Sequence, residues 1–305
     1  MAYYLHKFKY DFRKTANSVL TTFFTAGSIV RINPSNFIKM EKKKLAIVGC
    51  GKLADIVVDA LLGGILDDYQ LIGAYSRTFE KAEQLAKRID TAATGYNCTP
   101  CESISDIIAL KPDYIVESAA PIALRELAIP ALKNGSSIVT LSIGALADQA
   151  FYQEVQETAK NHGTRVHLVS GSIGGFDVLR TASLMGDCEV TFDTEKSPRS
   201  LRNTDVYQEE LETQKKQVFA GNAKEAIALF PTKVNVAVAA SLASVGPGNI
   251  KVSVTSVPDY VGDDHRIEIK NEEVHAIIDV YSKTSKIAGW SVVNTLRNIT
   301  SPIVF

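Results

Sequence analysis

Residues 45–57, LAIVGCGKLADIV, run an apolar strand into two glycines and straight on into a helix-forming stretch. Few short sequences limit a fold so tightly. In a dinucleotide-binding turn the first glycine lets the chain reverse and the second leaves the backbone bare for a pyrophosphate. The helix that follows offers its free N–H groups and a partial positive charge. Gly49 and Gly51 stand at the glycine places, and Lys52 and Leu53, which follow them, are further candidates to bind the cofactor. The third place of the fingerprint needs only a small residue for helix–strand packing, which Ala54 supplies.

The chain then alternates strand-like and helix-like runs. Strands are expected at 45–48, 71–76, 114–118, 136–142 and 165–170, with helices at 54–62, 79–89, 103–111, 123–135 and 149–163. Pro130 is expected to kink or break the fourth helix. Continuous apolar strands separated by helices predict a parallel sheet covered on both faces. After Gly171 the period changes. CEVTFD (188–193), IKVSVTSV (250–257) and HRIEIKNEEVHAIIDV (265–280) alternate in twos, as strands with one wet face do. Further helices are expected at 175–185, 222–229 and 234–244. The fold class is therefore α/β: a Rossmann-type doubly wound parallel sheet plus a smaller α+β domain with a mixed or antiparallel sheet. The expected division is an extension at 1–39, a dinucleotide-binding domain at 40–170 and a second domain at 171–282. An amphipathic helix over about 283–300 is expected to return to the first domain.

The extension carries six Lys or Arg against one acid, Asp11, and is rich in hydroxyl and Phe residues. That composition resembles a transit peptide. However, Met40 followed by EKKKLAIVGC reads as a natural start, so we expect residues 1–39 to lie outside the functional chain. With a net charge of −1, nothing in the composition points to nucleic acid or a membrane surface. No apolar run approaches the ~20 residues that span a bilayer, so the expected location is cytoplasmic. Four cysteines are too few for a disulfide scaffold. Cys98 and Cys101 form CTPC, but no second pair of ligands accompanies it, so neither a metal site nor a redox motif is expected; we expect a loop pair.

At the end of the second strand, where NAD enzymes place an acid on the ribose hydroxyl, this chain has Ser76 and Arg77. A hydroxyl and a guanidinium suit a 2′-phosphate, so the cofactor is expected to be NADP or NAD.

Four stretches together resemble the L-aspartate dehydrogenase family: 116–148 with SIGALAD, 169–182 with SGSIGG, 218–243 with FPTKVNVA, and DDHRIEI followed by SKTSKIA. The resemblance covers Met40 to about Arg297. It implies NAD(P)-linked, reversible oxidative deamination of L-aspartate through iminoaspartate to oxaloacetate and ammonia, with an association to NAD biosynthesis. Carried over residue by residue, it places the catalytic histidine at His265 and a cofactor-binding asparagine at Asn235. Ser172 stands where the family has alanine, and Lys283, Thr284 and Ser285 are candidates to hold a substrate carboxylate. Two departures bear on substrate. Asp263 and Asp264 precede the histidine where the family has an asparagine, and are expected to raise its pKa and repel a dicarboxylate. Tyr281-Ser282 replaces the family's Asn-Pro. The alternatives are a dehydrogenase of another amino or imino acid, and a dinucleotide-binding sensor without turnover. The second sheet pairing across a two-fold makes a homodimer the expected assembly.

Overall fold

The computed structural model describes residues 41–92, 94–231 and 234–305; the expected extension at 1–39 lies outside them. Among the described residues, eleven strands and ten α-helices follow one another from Lys43 to Thr300. The first part is βα-alternating: β1 (Lys43–Val48), α1 (Lys52–Leu62), β2 (Tyr69–Tyr75), α2 (Phe79–Thr91), β3 (Thr99–Cys101), α3 (Ile104–Ala109) and β4 (Tyr114–Glu117). It continues with α4 (Pro121–Lys133), β5 (Ser137–Thr140), a 3-10 turn at Ile143–Ala147, α5 (Gln149–His162) and β6 (Val166–Leu168). The strands form one parallel sheet in the order β3-β2-β1-β4-β5-β6. The order reverses between β1 and β4, which opens a crevice above the carboxyl ends of these strands.

Both faces of that sheet are apolar for the reason the continuous strands imply. Leu45 and Ile47 of β1 pack with α1 and α2, whereas Ala46 and Val48 pack with α3, α4 and α5. Pro130 does not break α4. It lies in the last turn, so the helix loses one hydrogen bond near its end and closes at Asn134, with Gly135 at φ 88°. The CTPC pair is only half in a loop: Cys98 precedes β3 and Cys101 ends it, an edge strand, where Pro100 costs no ladder bond on its open side.

The second part holds α6 (Phe176–Met185), β7 (Glu189–Lys196), α7 (Pro198–Leu201), β8 (Lys216–Asn222), α8 (Ala223–Leu229), α9 (Asn235–Leu242), β9 (Lys251–Ser256), β10 (Asp263–Lys270) and β11 (His275–Ser282). Its sheet runs β11-β10-β7-β9-β8 and is mixed, since β7 and β9 are parallel and the other pairs antiparallel. One face packs on α6, α8 and α9 in a separate apolar core. The alternating run at 265–280 is two strands. Asn271 reverses the chain, its side-chain oxygen accepting from the N–H of Glu273 and Val274 at 2.9 and 2.7 Å.

The last helix, α10 (Lys286–Thr300), lies on α1 and β2 of the first sheet. Gly289 allows this approach, because a Cβ there would stand 2.6 Å from Ile56 Cδ1. Buried Tyr69 donates its hydroxyl to the Leu296 carbonyl at 2.7 Å. The chain from Lys42 to Phe305 thus forms one compact unit.

Candidate active site

The turn between β1 and α1 has the shape its sequence implies. Gly49 adopts φ 100°, and a Cβ on it would lie 2.7 Å from the Ala119 nitrogen, so only glycine fits. Gly51 caps α1 with no side-chain hydrogen bond, and a Cβ on it would meet nothing within 4 Å. Exposed Lys52 and half-buried Leu53 therefore start the helix with backbone N–H groups directed at open space. This is a cradle into which a phosphate fits. Ala54 is fully buried beneath it. Burial first, and Asp55 second, push the Cys50 thiol up to about 12, so it stays neutral beside an anion. At the end of β2, Ser76 is half-buried and Arg77 exposed, with no acid at that strand end.

A buried acid the sequence reading passed over holds the next loop. Glu117 ends β4 and is fully buried. Its carboxyl accepts from Thr140 Oγ1 (2.6 Å), Ser142 Oγ (2.9 Å) and the N–H groups of Ala119 (2.9 Å) and Ala120 (3.1 Å). Burial raises its pKa and these bonds pull it back. Ser118, next to it, donates to the Gly49 carbonyl at 2.9 Å. Glu117 thus fixes the loop against which the glycine turn is packed. Its signal was available: an acid closing the apolar run of β4, where the other described strands of the parallel sheet carry none.

The second cluster lies on the core face of the mixed sheet. His265 is 2% exposed, its Nδ1 lies 2.8 Å from Thr194 Oγ1, and its ring stands near Phe192. Nε2 is left without a partner among the described residues. Burial, then the Lys196 ammonium, hold the His265 pKa down at about 4; Asp263 acts in the opposite sense and more weakly. The expectation that two acids raise this pKa is therefore corrected. Asp263 is spent on Lys196, with Nζ and Oδ1 2.7 Å apart. Asp264 faces the other side of β10, where Tyr260 donates to it at 3.3 Å. Burial, and Asp279 second, raise the Asp264 pKa.

Asn235 opens α9 and joins the two sheets: its Oδ1 accepts from the Gly144 N–H at 2.8 Å, leaving its amide N–H₂ to donate elsewhere. Ser172 is half-buried in the turn before α6, beside Gly171, whose N–H donates to Ser291 Oγ of α10 at 3.1 Å. Lys283, Thr284 and Ser285 are exposed between β11 and α10. The chain there runs close to Gly262, just before β10: a Cβ on that glycine would lie 2.9 Å from the Lys283 Cα. The structure thus brings His265 together with Thr194, Lys196 and Asp263, and Asn235 with Gly144. Lys196 was missed, although the alternation Val190, Phe192, Thr194, Lys196 puts it on the apolar face of β7.

Comparison with known proteins agrees with both halves. Residues 49–169 match the model described as homoserine dehydrogenase, NAD binding domain, and 177–299 match aspartate dehydrogenase, C-terminal. An L-aspartate dehydrogenase of Methanococcus maripaludis is 31% identical over 85% of this chain and 98% of its own. That of Methanosarcina acetivorans is 33% identical over the same shares. The chain belongs to the L-aspartate dehydrogenase family. A crystal structure of aspartate dehydrogenase from Thermotoga maritima, 28% identical, superposes with a TM-score of 0.66 over 87% of this chain and all of its own. As a family member the chain is an NAD(P)-dependent amino-acid dehydrogenase, and the bare, uncapped turn at Gly51 is where its residues fit that cofactor. No helix among the described residues is long and apolar enough to cross a membrane.

Proposed function

We propose that this aspartate dehydrogenase family member oxidatively deaminates L-aspartate through iminoaspartate to oxaloacetate and ammonia, reversibly. The observation that carries the proposal is His265, a buried histidine held neutral at pH 7 whose Nε2 has no partner among the described residues. The dinucleotide, when bound, supplies the hydride acceptor. The chain's residues do the rest. Gly49, Gly51, Lys52 and Leu53 hold the pyrophosphate through backbone N–H groups, and Asn235 and Ser172 border the nicotinamide end. A neutral imidazole takes the proton from the substrate ammonium, so that the amine lone pair can form the C=N bond as hydride leaves the α-carbon. The imidazolium releases that proton to solvent. The neutral imidazole then takes a proton from the water that adds to the iminium carbon and gives it to the nitrogen, which departs as ammonia while the new hydroxyl loses its proton to solvent and becomes the carbonyl. Thr194, bonded to Nδ1, keeps Nε2 as the exchanging atom.

The exposed Arg77, with Ser76, supports use of NADP at least as readily as NAD. Lys283, Thr284 and Ser285, at the head of α10, remain candidates to meet a substrate carboxylate. We place the working parts at 40–170 and 171–282, with the final helix returning to the first, in a cytoplasmic homodimer that feeds iminoaspartate to NAD biosynthesis. The test is stoichiometry: L-aspartate with NADP or NAD yields oxaloacetate, ammonia and reduced cofactor one to one to one. Turnover confined to another amino acid would move the reading to that substrate.

A further inference from the structure

The core face of the mixed sheet carries a polar row that the reaction above does not use. Strand register places Ser282, Asp263, Lys196 and Ser256 side by side across β11, β10, β7 and β9. The next row holds Val280, His265, Thr194 and Val254. Rows on one face are two residues apart, about 7 Å. Beyond them the face is wholly apolar, with Ile267, Phe192 and Val252.

Two features of this row are costly unless something binds there. The Lys196 side chain is 6% exposed, and among the described residues its ammonium has one partner, Asp263, for three N–H bonds. Ser256 is fully buried, and its hydroxyl has no hydrogen-bond partner among the described residues. A buried hydroxyl left unpaired is destabilising, and so is a lysine placed in an apolar face. Both are donors, they are neighbours across parallel strands, and both stand one row from the imidazole.

We propose that Lys196 and Ser256 form an anion subsite that takes a carboxylate of the amino-acid substrate, with Asp263 steering the Lys196 ammonium toward it. The ligand accepts from Lys196 Nζ and from Ser256 Oγ, which holds its amine-bearing carbon at His265. This subsite rests on the amino-acid dehydrogenase reading and specifies how its substrate is held. It also gives Asp263 a role compatible with a dicarboxylate: the ion pair removes the repulsion that two acids beside the histidine would otherwise exert.

The decisive variant is Ser256→Ala, because a merely structural serine and a ligand-binding one give opposite signs. Deleting an orphaned hydroxyl leaves the melting temperature of the full chain unchanged or raises it. Loss of a charge-assisted hydrogen bond raises KM for L-aspartate about tenfold or more. Cofactor affinity stays within about twofold, and kcat changes less than KM. Lys196→Met raises KM further, about a hundredfold. Succinate, a dicarboxylate that cannot be oxidised at an amine, serves as an equilibrium probe of the cofactor-loaded protein. It binds the wild type and is weakened in parallel in both variants. Should the wild type deaminate aspartate while Ser256→Ala keeps the same KM, the subsite is wrong and the aspartate reading stands. Should the wild type not turn over aspartate, that reading fails, and the succinate titration still decides. Weakened binding in both variants supports the subsite. Equal binding in all three proteins, or none to the wild type, overturns it.

Discussion

At the scale of single residues the proposed chemistry turns on what surrounds His265. A histidine buried between Thr194 and Phe192 and facing a cation stays neutral well below its ordinary 6.5, down to about 4. On the proposed mechanism it therefore enters the reaction as a base. Replacing it with asparagine is expected to lower kcat by about 10²–10⁴-fold, the usual worth of a general base, with cofactor affinity unchanged by titration. The depressed pKa also has a folding consequence. The folded protein resists a proton that the unfolded chain accepts, so the stability His265 confers is complete above about pH 6.5. It is lost as pH falls toward about 4. Denaturant melts at pH 7 and pH 5 should show this loss, and the asparagine variant should lack that share of it. Arg77 tests selectivity separately: Arg77→Ala should raise KM for NADP about tenfold and leave that for NAD nearly unchanged.

At the scale of elements, the strand–turn–helix at the start was legible because its chemistry is local. Gly49 must be glycine on two counts visible together only in the structure, its φ of 100° and the approach of Ala119. Gly49→Ala should cost about 1–3 kcal/mol in a denaturant melt and weaken cofactor binding. Glu117 works between elements. Its carboxyl gathers β4, β5 and the loop under the turn, so Glu117→Ala leaves several buried donors unpaired. It should cost about 3 kcal/mol or more, whereas Glu117→Gln should cost less. Such long-range satisfaction is what the sequence hid. Pairing between Glu117 and Thr140 spans 23 residues, and that between Thr194 and His265 spans 71. The strands β3 and β8 escaped for a related reason. Three residues containing a proline give no period to read, and Lys216–Asn222 has a register shift that breaks its alternation. Asp263 and Asp264 were misjudged because adjacency in sequence puts strand neighbours on opposite faces.

At the scale of the whole molecule, two sheets with opposite logic are joined at a few points. The parallel sheet is buried on both faces and ends in the cofactor cradle, while the mixed sheet lends one face to a polar corner within its core. Asn235 to Gly144, Gly171 to Ser291 and the return of α10 onto α1 hold them in register. The change of period after Gly171 was the sign of a second kind of sheet; the contacts between the two sheets join residues far apart in the chain, which no local pattern reveals. The most direct test is the rate of cofactor reduction, read by absorbance, when L-aspartate is given to the purified chain with NADP or NAD, beside the His265→Asn variant. The account predicts turnover by the wild type with both cofactors, at least as good with NADP, and near-complete loss in the variant. Tight cofactor binding without turnover of aspartate, or a variant as active as the wild type, would contradict it.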